Sequence, residues 1–326
     1  MKNIVIVATG GTIAGSGELG KATNYHAGKI DINEIIDSIP MINEIANLRA
    51  IQLFNVDSNE MDEKRWLVLA NKINELTSCK DVDGVVVTHG TDTLDETAYF
   101  LNLTIHTYKP VVLTGAMRPA SATSADGPIN LYQAVCLASC DDALGHGVMA
   151  VFSSTIYSGR EIQKINNFKT DAFEQKDFGC LGYMNDDKVM IFSRTFKKHT
   201  LQSIFIEKQI NKLPSVGIVY YYAGAKPDIL TMMAQTHQGI VIIGSGSGDY
   251  SQMWLKEIER LSKMGIVFVR SSRVNQGIVY ESDVFDPHHV CIPANTLSGQ
   301  KARVLLMLSL SITDDVSEIK RIFNEY

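Results

Sequence analysis

No run in the 326 residues is long or apolar enough to cross a membrane as a helix. The longest, Ile4 to Ala8 and Val304 to Met307 extending to Leu310, fall far below the roughly 18 residues a span requires. Basic clusters are equally scarce. Thirty Lys and Arg stand against thirty-six Asp and Glu, a formal charge of −6, with no cationic stripe of the kind a nucleic-acid partner needs. The five cysteines, Cys79, Cys136, Cys140, Cys180 and Cys291, are odd in number and lack a compact spacing, so no disulfide framework is implied. Cys136 and Cys140 would lie one helical turn apart, but no neighbouring His or Cys pair completes a zinc set, so no metal is expected and the two read as buried helix thiols. Short-period repeats and low-complexity tracts are absent. The partner these absences leave is a small neutral or zwitterionic molecule, with no nucleic acid, membrane or cofactor.

What is present is a length and a 45% hydrophobic content that exceed one usual domain. Ile4 to Val7, Val85 to Val87, Val111 to Leu113 and Val148 to Phe152 are short, continuous and apolar, as strands buried on both faces are. Lys2 with Ile4 to Ala8 faintly resembles a secretory leader, but its apolar run is too short and passes straight into Thr9-Gly10-Gly11, so it reads as the first core strand. Between the strands, Trp66, Leu69, Ala70, Ile73 and Leu76 recur at helical spacing, and Thr93 to Glu96 reads as a capping box opening a helix over Thr97 to Leu103. The signature returns at Val216 to Tyr220, Ile240 to Ile243 and Ile266 to Val269, with a helical segment over Met253 to Met264. The expectation is therefore α/β. A larger N-terminal domain, 1–190, holds a mostly parallel sheet with flanking helices, and a linker, 191–213, leads to a smaller parallel-sheet α/β domain, 214–326.

Chemistry gathers where two of these strands end. Ligands of open parallel sheets bind beyond the carboxyl ends of the strands, and here those ends carry Thr9-Gly10-Gly11-Thr12 and Thr88-His89-Gly90-Thr91-Asp92. Gly10 and Gly11 permit a sharp turn and close approach to a ligand, which makes Thr12 a candidate nucleophile, although one Gly-Gly-Thr alone is better described as a tight turn with a capping threonine. The second loop shifts the balance, because Thr91 and Asp92 set another hydroxyl beside a carboxylate at the positive end of a helix. Gly15, Gly17, Gly20 and Gly28 punctuate the segment around Tyr25, as a lid would require. His89, His288 and His289 read as exposed, the last two as surface or loop residues; no histidine base is needed.

Together with Gly115-Ala116-Met117-Arg118-Pro119, Ser124-Ala125-Asp126-Gly127-Pro128 and Arg270-Ser271-Ser272-Arg273-Val274, these loops resemble the bacterial type II asparaginase and glutaminase-asparaginase family, from residue 3 to Tyr326. The most specific blocks are Ala8 to Gly15, Thr88 to Thr97 and Gln300 to Leu306. The resemblance implies hydrolysis of asparagine to aspartate and ammonia through an acyl-enzyme, with Thr12 attacking, Tyr25 closing over it, and Thr91, Asp92 and Lys164 forming a second set. Taken without the resemblance, Lys164 reads as a solvated surface lysine. A threonine hydroxyl is a poor nucleophile until a neighbour takes its proton, which Lys164 would do through Thr91. The same resemblance places Ser58, Asn59 and Asp92 around the substrate's charged groups and makes the Ala116 N–H the oxyanion donor, whereas Ser58 by itself also fits a helix cap. It implies a homotetramer built from intimate dimers, each site shared between one chain's large domain and its partner's small one.

The chain departs from the family pattern at several points. Asn59 replaces a glutamine, one methylene longer, which leaves asparagine preferred over glutamine by about 1 to 3 kcal/mol at most and implies minor glutaminase activity. Ser247 and Asp249 stand where asparagines from the neighbouring subunit are usual, Asp249 bringing a negative charge toward the expected substrate ammonium, and Asp283 stands for a family glutamate. Cys79 lacks its usual disulfide partner, Thr107 occupying that place. A reducing, cytoplasmic location is the expectation, with the periplasm the alternative for a chain whose leader has been removed. Three other readings stand beside this one. A dinucleotide enzyme lacks its G-x-G-x-x-G fingerprint, an amidotransferase subunit would carry an extra domain before the first motif, and an asparagine-binding sensor would not need Thr12, Thr91, Asp92 and Lys164 together.

Overall fold

A computed structural model of the chain describes every residue except 19, 22–24, 27–29, 40, 176 and 209, with the backbone alone at Tyr25 and His26. The chain divides into two compact units, Met1–Ile206 and Glu207–Tyr326.

The first unit begins with β1 (Lys2–Gly10), the small ladder of β2 (Ser16–Gly17) and β3 (Tyr25–His26), and short helices α1 (Ile32–Asp37) and α2 (Ile42–Ile45). It continues through β4 (Ala46–Val56), α3 (Glu63–Ser78), β5 (Gly84–Thr88), α4 (Leu94–Thr104), β6 (Val111–Thr114), α5 (Gly127–Ser139) and β7 (Val148–Phe152). Five short strands follow: β8 (Thr155–Ser158), β9 (Ile162–Lys164), β10 (Phe173–Gln175), β11 (Gly182–Asn185) and β12 (Lys188–Ile191). The main sheet has eight strands in the order β12-β11-β8-β7-β6-β5-β1-β4. Strands β4, β1, β5, β6 and β7 pair in parallel, whereas β8, β11 and β12 are joined antiparallel to that run.

The expected α/β architecture is thus the one observed. Strands β5, β6 and β7 are buried along their whole length, which is why they read as unbroken apolar runs. Their side chains and those of β1 pack against α5, whose Leu131, Ala134, Val135 and Leu137 are fully buried. Leu131, Val135 and Leu137 each contribute about 1.5–3 kcal/mol by leaving water. On α3, all five periodic residues, Trp66, Leu69, Ala70, Ile73 and Leu76, face inward. One strand goes unmarked by the apolar runs, and one expectation is corrected. Strand β4 is an eleven-residue strand of mixed polarity that apolar runs do not mark, because it is an edge strand covered on one side. The capping box at Thr93 does not form: Thr93 is the N-cap of α4 but makes no side-chain cap bond, and the Glu96 N–H is bonded to Asp95 Oδ1.

The second unit holds β13 (Val216–Tyr220), α6 (Asp228–Met233), β14 (Gly239–Gly244), α7 (Gln252–Ser262), β15 (Val267–Ser272), β16 (Cys291–Pro293), α8 (Gly299–Leu310) and α9 (Val316–Glu325). Its four strands lie in sequence order and pair in parallel, as expected of the smaller α/β body. Leu230, Ile240, Ile242, Trp254 and Ile258 are the centre of its core.

Candidate active site

Strand order locates the site. The chain moves from β1 outward to β4, then crosses back to lay β5 on the other side of β1, so the connection changes direction between β1 and β5. A crevice opens at the carboxyl ends of strands where such a reversal occurs. The loops leaving β1, β4 and β5 carry Thr12, Ser58 with Asn59, and Thr91 with Asp92.

Glycine lets those loops touch through their backbones. Gly10 and Gly11 sit at φ of 105° and 82°, a region other residues rarely adopt. A Cβ on Gly11 would lie 2.5 Å from Gly90 Cα, and one on Gly10 would lie 2.4 Å from Val56 O. Gly11 N donates to Val56 O at 3.0 Å, and the register of β1 shifts between Ala8 and Gly10. A Cβ on Gly90 would meet the Ser58 side chain at 2.7 Å, so all three loops close on one another. Thr12 follows directly in a short 3-10 turn and is nearly buried.

The polar groups then converge. Lys164, at the end of β9, donates to Thr91 Oγ1 at 2.8 Å and to Asp92 Oδ1 at 2.6 Å, across 73 and 72 residues of sequence. The lysine is 15% exposed and the aspartate 55%, so the pair lies at the mouth of the crevice and not inside a core. Asp92 N donates to Ser58 Oγ at 3.3 Å, and the Thr93 hydroxyl donates to Ser58 O at 2.8 Å. Ser58 is therefore not a cap; the cap of its turn is Asp57, which accepts from Asn59 N. The Asn59 amide donates to Asp57 Oδ1 at 2.8 Å and reaches Asp92 Oδ2 at 3.5 Å.

Ala116 is almost fully buried, and its turn is held from one side chain: Asp126 accepts from Met117 N at 3.0 Å and from Arg118 N at 2.9 Å. Asn130 ties the same carboxylate to the carbonyl of Gly115. A Cβ on Gly127 would touch both Ile13 and Ala116, which sets Ala116 beside the residue that follows Thr12. His89 corrects an expectation of exposure, for it is fully buried. Its Nδ1 lies 2.7 Å from Gly90 O, an atom that only accepts, so the imidazole carries its proton there. Nε2 then accepts from the Thr97 hydroxyl at 3.0 Å, which accepts from the Trp66 indole N–H at 2.8 Å. Burial lowers the His89 pKa to about 4, so the ring is neutral near neutral pH.

Other expected residues stand elsewhere. Tyr25 belongs to β3, where its backbone pairs with Gly17; its side chain, like Gly28, lies outside the described residues. Asp249 and Asp283 belong to the second unit. Asp249 Oδ1 is buried without a hydrogen bond, 3.7 Å from Arg270, and burial raises the pKa of its carboxyl. Ser247 offers its carbonyl to Arg270. Asp283 is exposed and pairs with His289, and His288 pairs with Glu259. All five cysteines are free thiols; Cys79 donates to Glu75 O and the Thr107 hydroxyl accepts from Lys109 N.

Reasoning from sequence did not assign Asp57, Asp126, Asn130 or the buried Thr97. Asp57-Ser58-Asn59 has the form of an Asx turn, and Asp126 directly precedes a Gly-Pro helix start, so both signals were there to read.

A mostly parallel sheet bearing two threonines and an aspartate on loops at its carboxyl edge, with a lysine brought to them by the separate β9–β10 ladder, followed by a second parallel-sheet unit, defines a class of two-domain α/β proteins. The chain belongs within it to the asparaginase family: residues 3–197 match the family model "Asparaginase, N-terminal", and residues 215–323 match "Glutaminase/Asparaginase C-terminal domain". It is 41% identical over 328 residues to L-asparaginase 2 of Escherichia coli (strain K12), covering 100% of this chain and 94% of that protein. It is 42% identical over 330 residues to the glutaminase-asparaginase of Acinetobacter glutaminasificans, covering 99% of each. The crystal structure of a probable cytoplasmic L-asparaginase from Campylobacter jejuni superposes with a TM-score of 0.95 at 43% identity, covering 100% of both chains.

Proposed function

We propose that the chain hydrolyses the side-chain amide of L-asparagine to L-aspartate and ammonia, with Thr12 as nucleophile. The observation that carries this reading is Lys164 bonded at once to Thr91 Oγ1 and Asp92 Oδ1, on a loop whose Gly90 packs against Gly11, one residue before Thr12. With its amine unprotonated, Lys164 accepts the Thr91 proton across this 2.8 Å contact as Thr91 takes the one from Thr12, so the hydroxyl serves as the relay next to the attacking group. Thr12 Oγ bonds to the amide carbon as its proton moves into the Thr91–Lys164 pair. The tetrahedral oxyanion meets the N–H of Ala116. As the C–N bond breaks, the proton goes to the leaving nitrogen, which departs as ammonia and leaves an ester on Thr12. Water then attacks that ester, gives its proton back through the same pair, and releases aspartate. Tyr25 closes the site from its glycine-punctuated segment. Asp92 receives the substrate ammonium, and Ser58 and Asn59 border the α-carboxylate.

Glutamine is a minor substrate in this reading. The Asn59 amide already bonds Asp57, so its shorter arm discriminates weakly, and relatives named glutaminase-asparaginase are 39% to 42% identical. Asp249 and Asp283 would complete the site of a neighbouring copy, within a homotetramer assembled as a dimer of intimate dimers. The proposed working domains are 1–190 and 214–326 with 191–213 between them; the first compact unit runs on to Ile206 and the first family match to residue 197, so much of that segment packs with the first domain. The five free thiols favour the cytoplasm, which cell fractionation would test.

The decisive experiment measures ammonia release from asparagine and glutamine for the wild type and for Thr12→Ala. A loss on the order of a thousandfold or more is expected in the variant. A variant as active as the wild type removes Thr12 from the mechanism, and an inactive wild type makes the chain an amino-acid-binding protein. Light scattering on the same preparation tests the assembly, which a fully active monomer would rule out.

A further inference from the structure

Apart from the strand-end crevice, the first unit contains a cavity of ≈ 340 Å³ near the start of β9, within the range that small-molecule sites occupy. Its lining is mainly apolar, with Phe178, Leu181 and Phe196 among the walls, and it includes the ion pair of Arg160 with Glu161. Arg160 is 2% exposed and Glu161 8%, a degree of burial that charged groups tolerate only in a defined arrangement. The segment around the pair is built by side-chain bonds: Ser158 Oγ accepts from Arg160 N at 3.2 Å and from the Thr195 hydroxyl at 2.9 Å, and Ser158 N donates to Gln175 Oε1 at 2.6 Å. Arg194 lines the same cavity and has no ion pair or hydrogen bond among the described residues. Its charge is felt nearby, where it helps lower the pKa of His146.

We propose that this cavity is a second ligand site, taking a small carboxylate with an apolar body whose acid group pairs with Arg194 and whose body lies against Phe178 and Leu181. Arginine matches a carboxylate in two parallel charge-assisted hydrogen bonds, and an apolar wall beside one unengaged guanidinium selects for such an amphipathic anion. The location matters because Glu161 precedes β9 by one residue, and the last residue of β9 is Lys164. A ligand held here rests against the base of the strand that positions the lysine bonded to Thr91 and Asp92.

The test is calorimetric titration of the intact protein with phenylacetate, with saturating L-aspartate present to block the strand-end crevice. Saturable binding is expected, weakened roughly tenfold or more in Arg194→Gln, whose exposed position leaves folding unaffected, and at least tenfold weaker for the neutral phenylacetamide. Absence of binding in aspartate overturns the proposal. So does equal affinity of Arg194→Gln, or equal affinity for phenylacetamide, since each assigns the heat to a different site or to apolar contact alone. None of these outcomes depends on whether Thr12 is the nucleophile.

Discussion

The two units solve the same structural problem at their strand ends and put the result to different uses. In each, a glycine-rich turn leaves a buried parallel strand and packs backbone to backbone: Gly11 on Gly90 in the first, and in the second Gly244 on Gly248, where a Cβ would sit 2.2 Å from a backbone carbon. Each turn is accompanied by a cation. In the first unit Lys164 reaches outward to a hydroxyl and a half-exposed carboxylate. In the second, Arg270 is 1% exposed, and its guanidinium donates to the carbonyls of Ser247 and Tyr280, so it braces the turn. Glycine-rich strand ends alone therefore say nothing about chemistry; what separates the two is whether the cation's donors face side chains at a crevice or backbone in a core.

Exchanging the consequences of losing each cation would break this comparison most sharply. Lys164→Met should lower kcat for asparagine by a factor on the order of a hundred to a thousand while leaving the melting temperature nearly unchanged. Arg270→Met should do the reverse, costing about 1–3 kcal/mol of stability by urea unfolding, because it takes a donor from the half-buried carbonyls of Ser247 and Tyr280 and the ion-pair partner from Asp249. A Lys164 variant that unfolds, or an Arg270 variant as stable as wild type, would mean that the roles have been misread.

A second contrast is between charges at the crevice and the neutral ring beneath it. Burial holds the His89 pKa at about 4 against 6.5 in the unfolded chain. Between those values the unfolded chain binds a proton that the folded one does not, so stability falls as pH drops through this window, by about 3 kcal/mol at most, and levels off below it. Urea titrations at pH 7, 5.5 and 4.5 should show this slope and should show it reduced in His89→Gln; an unchanged slope would assign it to other groups. The smallest effect concerns the tie between the β4 and β5 loops. Thr93→Val removes the bond to Ser58 O and should cost about 1 kcal/mol, with a rise in KM larger than any fall in kcat. A variant indistinguishable in both would show that the other contacts already fix Ser58.

Much of the parallel half of the sheet was legible because strands buried on both faces must be apolar throughout, and β7 and β13 appear with the bounds their apolar runs suggest. Strand β4 was not, since an edge strand alternates polar and apolar side chains and resembles a loop when read linearly. The hydroxyl-rich loops at Thr12 and Thr91 could be singled out from local sequence, as glycine and threonine after a strand are conspicuous. Lys164 could not. It sits at the end of a three-residue strand and meets Thr91 only through the pairing of β9 with β10 and the return of the chain, a contact that local propensity does not encode. His89 was misjudged for a similar reason: a histidine in a glycine-rich loop looks exposed until Thr97 and Trp66 are known to close over it.

The contact between Gly11 and Gly90 also sets limits on how the pocket can be redesigned. Where side chains meet, a substitution on one wall is often accommodated by trimming its neighbour. Here backbone meets backbone, and there is nothing to trim. A Cβ on Gly11 would fall on the main chain of the next loop, so no single compensating change rescues it, and the shape of the two loops is closed to stepwise variation. Selection or engineering aimed at a new amide must therefore work through side chains that border the crevice without forming its frame. Asn59, held only by an Asx turn and a long contact to Asp92, is the position with the most freedom to vary.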